Sequence, residues 1–342
     1  MISHDVALAP LTTLGLGGPA KRLARVESED ELGEALLDAD VRGERVLILG
    51  GGSNLVVRDE GWDGLCVQLG WQATSMLDRG DHVSVRASAG VVWDDFVAQM
   101  VDAGLSGVEC ISGVPGHVGA TPIQNVGAYG QEVSDTITKV RVADLEARKI
   151  VELAPSECGF AYRTSVFKGN PRWIVLGVEF RLTRGESQPI RYAELCKALG
   201  VADGGTAPLR TVRDTVIQLR RGKGMVVDPN DPESRSAGSF FTNPIVDAAT
   251  LAALEARLPA GVVPPKFAAP DGMTKLSAAW LIERAGFAKG TRRGGVGISN
   301  KHALALVNRG GTATELLALA KEIQDGVRER LGIELHPEPV IV

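Results

Sequence analysis

Residues 112–130, SGVPGHVGATPIQNVGAYG, carry five glycines and two prolines in nineteen positions and a single aromatic ring, Tyr129. Proline removes a backbone donor and glycine readily enters left-handed conformations, so no helix or strand can run through the segment. It is also too apolar for a solvated linker. A long structured loop inside a domain most often serves a ligand. Whatever the chain folds into must hold this loop in place.

A second glycine cluster, Gly50-Gly51-Gly52-Ser53-Asn54, directly follows the compact apolar run Arg45 to Leu49, which reads as a strand. Consecutive glycines let backbone N–H groups approach a phosphate, and Ser53 and Asn54 add side-chain donors. Alone, the cluster reads equally well as a strand-to-strand turn. Two such loops in one region point to a large cofactor with a phosphate bridge. A third match, Gly15 to Ala20, fits the G-x-G-x-x-A dinucleotide fingerprint. That fingerprint needs a helix opening at the second glycine. Here KRLARV reads as a strand and the first helix opens at the capping sequence Ser28 to Glu31, so Gly15 to Ala20 is a glycine turn.

Period-two alternation marks strands at 65–69, 82–87, 137–144 and 172–183. Trp93, Phe96, Val97, Met100 and Val101 follow helical spacing and stop at Gly104. The second half is more helical. LRTVRDTVIQLRR (209–221) and KLSAAWLIERAG (275–286) each predict an amphipathic helix. A third opens at the capping box Thr312 to Glu315 and closes at Gly332. Pro259 to Pro270 reads as a proline-rich connection. The VADGGTAP stretch suggests a domain boundary near residue 205, dividing 1–205 from 206–342.

With 37 basic against 42 acidic residues, a formal net charge of -5 and no block of like charge, a nucleic-acid footprint is absent. No apolar stretch is long enough to span a membrane, and the N-terminus lacks a cationic leader. Four scattered cysteines, Cys66, Cys110, Cys158 and Cys196, show no metal spacing and read as free thiols of a reducing compartment. The expectation is a cytoplasmic, metal-free protein.

Three residues invite a chemical reading. Arg163, in FAYRTSVFK, has the geometry to fork onto a carboxylate or a developing enolate, and an interdomain salt bridge is an equal alternative. Ser239, in AGSFFTNP, sits where a serine is usually a helix cap, and neither a G-x-S-x-G elbow nor a linked histidine supports a hydrolase nucleophile. Glu338, close to the C-terminus and followed by Pro339, reads alone as a solvated carboxylate.

Together, ILGGGSNLVV (48–57), the loop from Pro115 to Gly130, YRTSVFK (162–168), AGSFFTNP (237–244) and the terminal Pro337-Glu338 resemble the UDP-N-acetylenolpyruvoylglucosamine reductase (MurB) family, in the family's order and across nearly the whole chain. The resemblance implies an α+β fold. An FAD-binding region of the vanillyl-alcohol-oxidase (PCMH) type, in two small subdomains with a core of about 17–183, is followed by a substrate-binding domain whose last residues return to the FAD site. It implies non-covalent FAD, NADPH as reductant, and reduction of UDP-N-acetylglucosamine-enolpyruvate to UDP-N-acetylmuramate by a monomer in peptidoglycan precursor synthesis.

Residue by residue, the resemblance gives Ser239 as proton donor and Arg163 and Glu338 as enolate-stabilising groups. The flavin would lie on Gly50, Gly51, Gly52, Ser53, Asn54, Pro115, Gly116, Gly119, Ala120, Ile123, Gly127, Ala128 and Tyr129. Tyr192 resembles the substrate-gating tyrosine of one subgroup. Lys223 and Asn243 resemble residues that hold the diphosphate and sugar, and Lys289 and His302 match more weakly at the nucleotide end. The alternatives are another flavin oxidase on the same fold, which has no evident need for the AGSFFTNP serine loop, and a non-catalytic nucleotide-sugar binder, which would be colourless and consume no NADPH.

Overall fold

The computed structural model describes residues 2–342. They form two compact units, and the chain passes between them more than once. The first unit holds residues 2–6, Ala20–Gly52 and Trp62–Gly222. The second holds Ala7–Pro19, Ser53–Gly61 and Lys223–Val342.

Besides the short pair Gly127–Ala128 with Gln131–Glu132, the first unit contains two larger sheets. In one, the order is Ile2–Ala7, Pro19–Val26, Trp62–Leu69, Arg45–Leu49, with Trp62–Leu69 parallel to both neighbours. Helix α1 (Glu29–Val41) is capped by Ser28, whose hydroxyl accepts the Glu31 N–H, and it buries Leu32, Ala35 and Ala39 against Ala24, Leu65 and Val67. Arg22 lies buried between Asp38 of α1 and Glu44, so the strand's one inward-facing cation is paired twice.

The other sheet is antiparallel, in the order Lys149–Leu153, Ile137–Asp144, Trp173–Arg184, Val83–Ser88, Thr74–Asp78. Helix α2 (Trp93–Asp102) packs on it through Trp93 and Phe96, whose rings stand 6.0 and 5.1 Å from that of Phe180. Helices α3 (Ala193–Leu199) and α4 (Leu209–Gly222) complete the unit. Val212 and Val216 of α4 share a core with Cys110, Ile190 and Leu195, and Arg213 forks onto Asp94 of α2. These contacts explain why the first unit runs to Gly222 and does not stop near residue 205.

The second unit has a sheet in the order Ser236–Ser239, Ala305–Asn308, Val296–Ile298, Arg292–Arg293, and a smaller one of Ile245–Val246, Thr274–Leu276, Lys266–Ala268. Helices α5 (Ala248–Arg257), α6 (Ala278–Arg284) and α7 (Ala313–Leu331) pack with them. The capping box at Thr312 and the left-handed Gly332 bound α7 as its sequence predicts, and Leu316, Leu319, Ile323 and Val327 are buried.

Two expectations fail locally. Lys275 and Leu276 belong to a strand, because Ser277 caps α6 only from Ala278 onward and Leu276 is buried by strand pairing. Within the proline-rich connection, Lys266–Ala268 pairs with that strand as its edge.

Ser53–Gly61 ties the second unit together. Leu55–Val56 pairs in parallel with the C-terminal strand Val340–Ile341. Asp59 caps α7, accepting the Ala313 and Thr314 N–H groups at 2.8 and 2.9 Å and the Thr314 hydroxyl at 2.6 Å. The Thr314 hydroxyl, with these N–H groups, holds the Asp59 carboxyl below its ordinary value. A depressed carboxyl contributes stability above its unfolded pKa and loses it as pH falls through the folded one. Asp59→Ala is therefore expected to cost about 1 kcal/mol at neutral pH, the scale of a lost helix cap. In urea unfolding, the gap between variant and wild type should close as pH drops below the ordinary carboxylate range.

Candidate active site

In the first unit the two glycine-rich loops meet. A Cβ built on Gly51 would lie 2.9 Å from Gly116 Cα, so the backbones touch with no room for a side chain. The longer loop is fastened to the segment entering α2. Trp93 donates its backbone N–H to Gly116 O at 3.0 Å and its indole N–H to Ile111 O at 3.1 Å. Val118 and Gly119 donate to Val91 and Ala89 at 2.8 and 3.0 Å. Asp94 accepts the Gly113 N–H at 2.6 Å while paired with Arg213. Burial opposes its ionisation, but the Arg213 fork and the Gly113 N–H outweigh it and hold the carboxyl below the usual range.

Gly119 is fixed by packing, since a Cβ there would fall 2.5 Å from Ala89 Cβ. Gly50 differs. Its Cβ would meet only Ala120 Cβ at 3.9 Å and His117 Nδ1 at 4.0 Å, which is ordinary contact. Nothing in the protein requires glycine at 50, and a methyl group would fill the cradle between the loops. The open cradle, its backbone donors and the buried, unpartnered Nδ1 of His117 fit a phosphate-bridged cofactor.

At its far end the loop bends through left-handed Asn125 and Tyr129, with φ of 47° and 48°. Asn125 is buried. Its amide donates to Glu132 at 2.7 Å and to Ala161 O at 3.3 Å, and its Oδ1 accepts the Ser134 N–H. Arg163, also left-handed at φ 54°, donates to Gly127 O at 2.9 Å and stands over the Tyr162 ring. Three of the six left-handed non-glycine residues described thus cluster at this loop, as strain often does at sites. Arg163 is thus brought to Gly127, one of the predicted flavin-loop residues.

Tyr129 stacks edge-on against Tyr192 with centroids 5.3 Å apart. Burial pushes the Tyr129 phenol up to about 12 and the buried Arg220 guanidinium of α4 down to about 10, despite the nearby Tyr129 hydroxyl and Asp94 carboxylate. Sequence reasoning missed Asp94, Asn125, Arg213 and Arg220. For Asp94, Arg213 and Arg220 the available signal was a polar residue on an otherwise buried helix face, and for Asn125 its place in the glycine-rich loop.

In the second unit, Ser239 ends its strand and is not a helix cap. Between Ser236 and Ser239 the strand advances three residues while its partner advances two, from Val307 to Ala305. This bulge, with Gly238 at φ 73°, re-aims the following side chain. The next residues pair with the C-terminal segment: Phe241 bridges to Pro337, Glu338 N–H donates to Phe240 O at 2.9 Å, and Thr242 N–H to His336 O at 3.1 Å. Ser239 and Glu338, far apart in sequence, are thereby neighbours. Pro339 does no harm there, because the donors in use are Glu338 N–H and Val340 N–H, the latter to Asn54 O at 3.0 Å. Asn54 also donates to Glu338 O at 3.3 Å. The motif Gly50 to Asn54 is thus divided, its glycines in the first unit and Ser53 and Asn54 in the second.

Asn243 accepts the Ala278 N–H at 2.9 Å, tying it to the start of α6. Lys223 opens the second unit beside the Gly224 turn, where a Cβ would meet Glu233 O at 3.0 Å. Lys289 and His302 share one end of the unit. Gly290 donates to Ser299 O, and His302 Nδ1 accepts the Leu304 N–H. Glu233 fixes that end, bonding Ser299 Oγ, Asn300 and Arg309. All four cysteines are free and buried, and no acidic, histidine or cysteine cluster fit for a metal occurs among the described residues.

A family model described as UDP-N-acetylenolpyruvoylglucosamine reductase, C-terminal domain, matches residues 230–342, and an FAD binding domain model matches 20–154. The UDP-N-acetylenolpyruvoylglucosamine reductase of Thermobifida fusca is 55% identical over 99% of this chain and 98% of its own length. The chain belongs to the UDP-N-acetylenolpyruvoylglucosamine reductase (MurB) family. A Streptomyces coelicolor member is 50% identical over 99% of this chain and 90% of its own. The crystal structure of the Thermus caldophilus MurB enzyme aligns over 100% of this chain and 98% of that one, at 27% identity and a TM-score of 0.66. The expected order of an FAD-binding region followed by the MurB C-terminal domain, in a mixed α and β fold, holds.

Gly50 and Gly119 separate cofactor from packing. Gly50→Ala should leave the melting temperature of flavin-free protein unchanged yet weaken FAD binding about tenfold or more. Gly119→Ala should itself destabilise the flavin-free protein by about 1–3 kcal/mol, the overpacking scale. Thermal melts with and without FAD, and FAD titration, distinguish the two.

Proposed function

We infer that this chain is a flavin-dependent UDP-N-acetylenolpyruvoylglucosamine reductase. It reduces the enolpyruvyl double bond of UDP-N-acetylglucosamine-enolpyruvate to give UDP-N-acetylmuramate, with NADPH as reductant. Family membership across the full chain supports the reaction. The observation that carries the mechanism is the pairing of Phe240–Thr242 with His336–Glu338, which makes a carboxylate-bearing residue the neighbour of the Ser239 strand.

Gly50 to Asn54 and the Pro115 to Tyr129 loop would hold FAD without a covalent bond, and the bound flavin would supply the hydride chemistry for the methylene carbon of the enolpyruvyl group. Negative charge then spreads over the adjacent carbon and the carboxylate as an enolate. Arg163 places a permanent cation against that charge, and its carbonyl contacts with the flavin loop hold the guanidinium in position. Glu338 assists the enol form. Ser239 delivers its hydroxyl proton to the second carbon, completing the saturated lactyl ether. A hydroxyl is a weak acid, so this step needs a dry site and a neighbour that polarises the hydroxyl.

Tyr192, packed on Tyr129, is assigned to gate the substrate, the role of the tyrosine-loop subgroup. Lys223 and Asn243 hold diphosphate and sugar, and Lys289 and His302 serve the nucleotide end. The enzyme works as a monomer in the cytoplasm, a compartment that its free, buried thiols fit. Among the described residues no helix is long and apolar enough to cross a membrane.

Ser239→Ala decides the proton-donor role. Its FAD should bleach with NADPH at the wild-type rate and fail to recover colour when substrate is added, with turnover down at least about a hundredfold. Near-normal turnover of the variant would overturn the assignment.

A further inference from the structure

We propose that His117 is an additional ligand of the cofactor, donating its Nδ1–H to the FAD diphosphate. The proposal rests on the reading above that the two glycine-rich loops hold FAD.

His117 Nδ1 is buried and has no hydrogen-bond partner in the protein. A buried polar atom left without a partner is costly, and its presence calls for a missing group. The ring lies along the first glycine cluster, with Nδ1 4.0 Å from the Cβ that Gly50 lacks and Cδ2 3.5 Å from the Cβ that Gly51 lacks. Its orphan atom therefore lies beside the glycine cluster, shielded from solvent.

The ring is held there by its backbone. Val92 and His117 form a bridge, Gly116 O accepts the Trp93 N–H at 3.0 Å, and His117 O accepts the Ala120 N–H at 3.0 Å. Burial, helped by the positive charge of Arg25, pulls the imidazole below its ordinary pKa and keeps it neutral. A neutral imidazole has one donor and one acceptor, and an anionic oxygen selects the tautomer with hydrogen on Nδ1. A diphosphate at the glycine cluster is the one part of FAD that offers such an oxygen in place.

The test compares holoenzymes of wild type, His117→Ala and His117→Asn. FAD release after dilution is followed by flavin fluorescence, and the visible spectrum of bound flavin is recorded before dilution. Losing a hydrogen bond to a charged group should speed release about tenfold to a hundredfold in His117→Ala. Asparagine puts an amide N–H near the Nδ1 position, so His117→Asn should stay within about threefold of wild type. The flavin spectrum should not change, because the diphosphate is remote from the isoalloxazine ring.

Wild-type release by His117→Ala overturns the proposal. So does a folded His117→Asn that loses FAD as fast as the alanine variant, since packing alone would then explain the effect. A shifted flavin band, or flavin that stays with acid-precipitated protein, would put the histidine on the ring system and not the diphosphate. A wild-type protein that holds no FAD would sink the cofactor reading itself, whereas FAD-loaded wild type with an indifferent His117→Ala sinks only this inference.

Discussion

A loop that cannot be helix or strand can be held inside a protein only if its backbone N–H and C=O groups find partners elsewhere. In the Ser112 to Gly130 loop those partners include the Ala89–Trp93 main chain, the Asp94 carboxylate and the Arg163 guanidinium. Asp94 joins two requirements, because it holds Gly113 and also anchors α4 through Arg213. The extent of the first unit and the shape of the flavin loop follow from the same carboxylate. Arg163 has a similar double duty. The cation that would meet a developing enolate is already oriented by the carbonyls of the loop that would hold the flavin.

Much of this was legible in the sequence, and the limits have physical causes. Period-two alternation located Ile137–Asp144 and, within a residue at each end, Trp173–Arg184, because both strands are buried on one or both faces and the pattern is local. Thr312 and Gly332 announced α7 for the same reason. Leu276 was read as helical because a short apolar run fits either period, and only its strand neighbours settle the matter. Glycine and proline near residue 205 mark a turn inside a contact unit that runs to Gly222 as readily as a break between domains. Asp94 and Arg213 are separated by more than a hundred residues, and no spacing rule connects them.

The proposed chemistry depends on a similar long-range event. Ser239 looked like a cap and Glu338 like a solvated terminal carboxylate, and each reading was reasonable alone. The bulge at Gly238 turns the serine out of strand register, and main-chain pairing brings the last residues beside it. Two unremarkable residues become a candidate pair through backbone hydrogen bonds, which sequence encodes only weakly. The residue types were readable, whereas their partnership was not.

The division of the Gly50 to Asn54 motif bears on how the protein is made. Ser53–Gly61 is synthesised early, yet it caps α7 and receives the strand Val340–Ile341. On the ribosome the first unit has all its residues once Gly222 has emerged, while this nine-residue segment must wait through the remainder of translation for its partners. The second unit is therefore closed last, by the final strand, and a chain halted before residue 340 leaves Leu55 and Val56 without that pairing strand. Synthesis thus couples completion of the chain to completion of Glu338's surroundings, so a prematurely terminated product carries the cofactor loops but not the finished serine and glutamate pair.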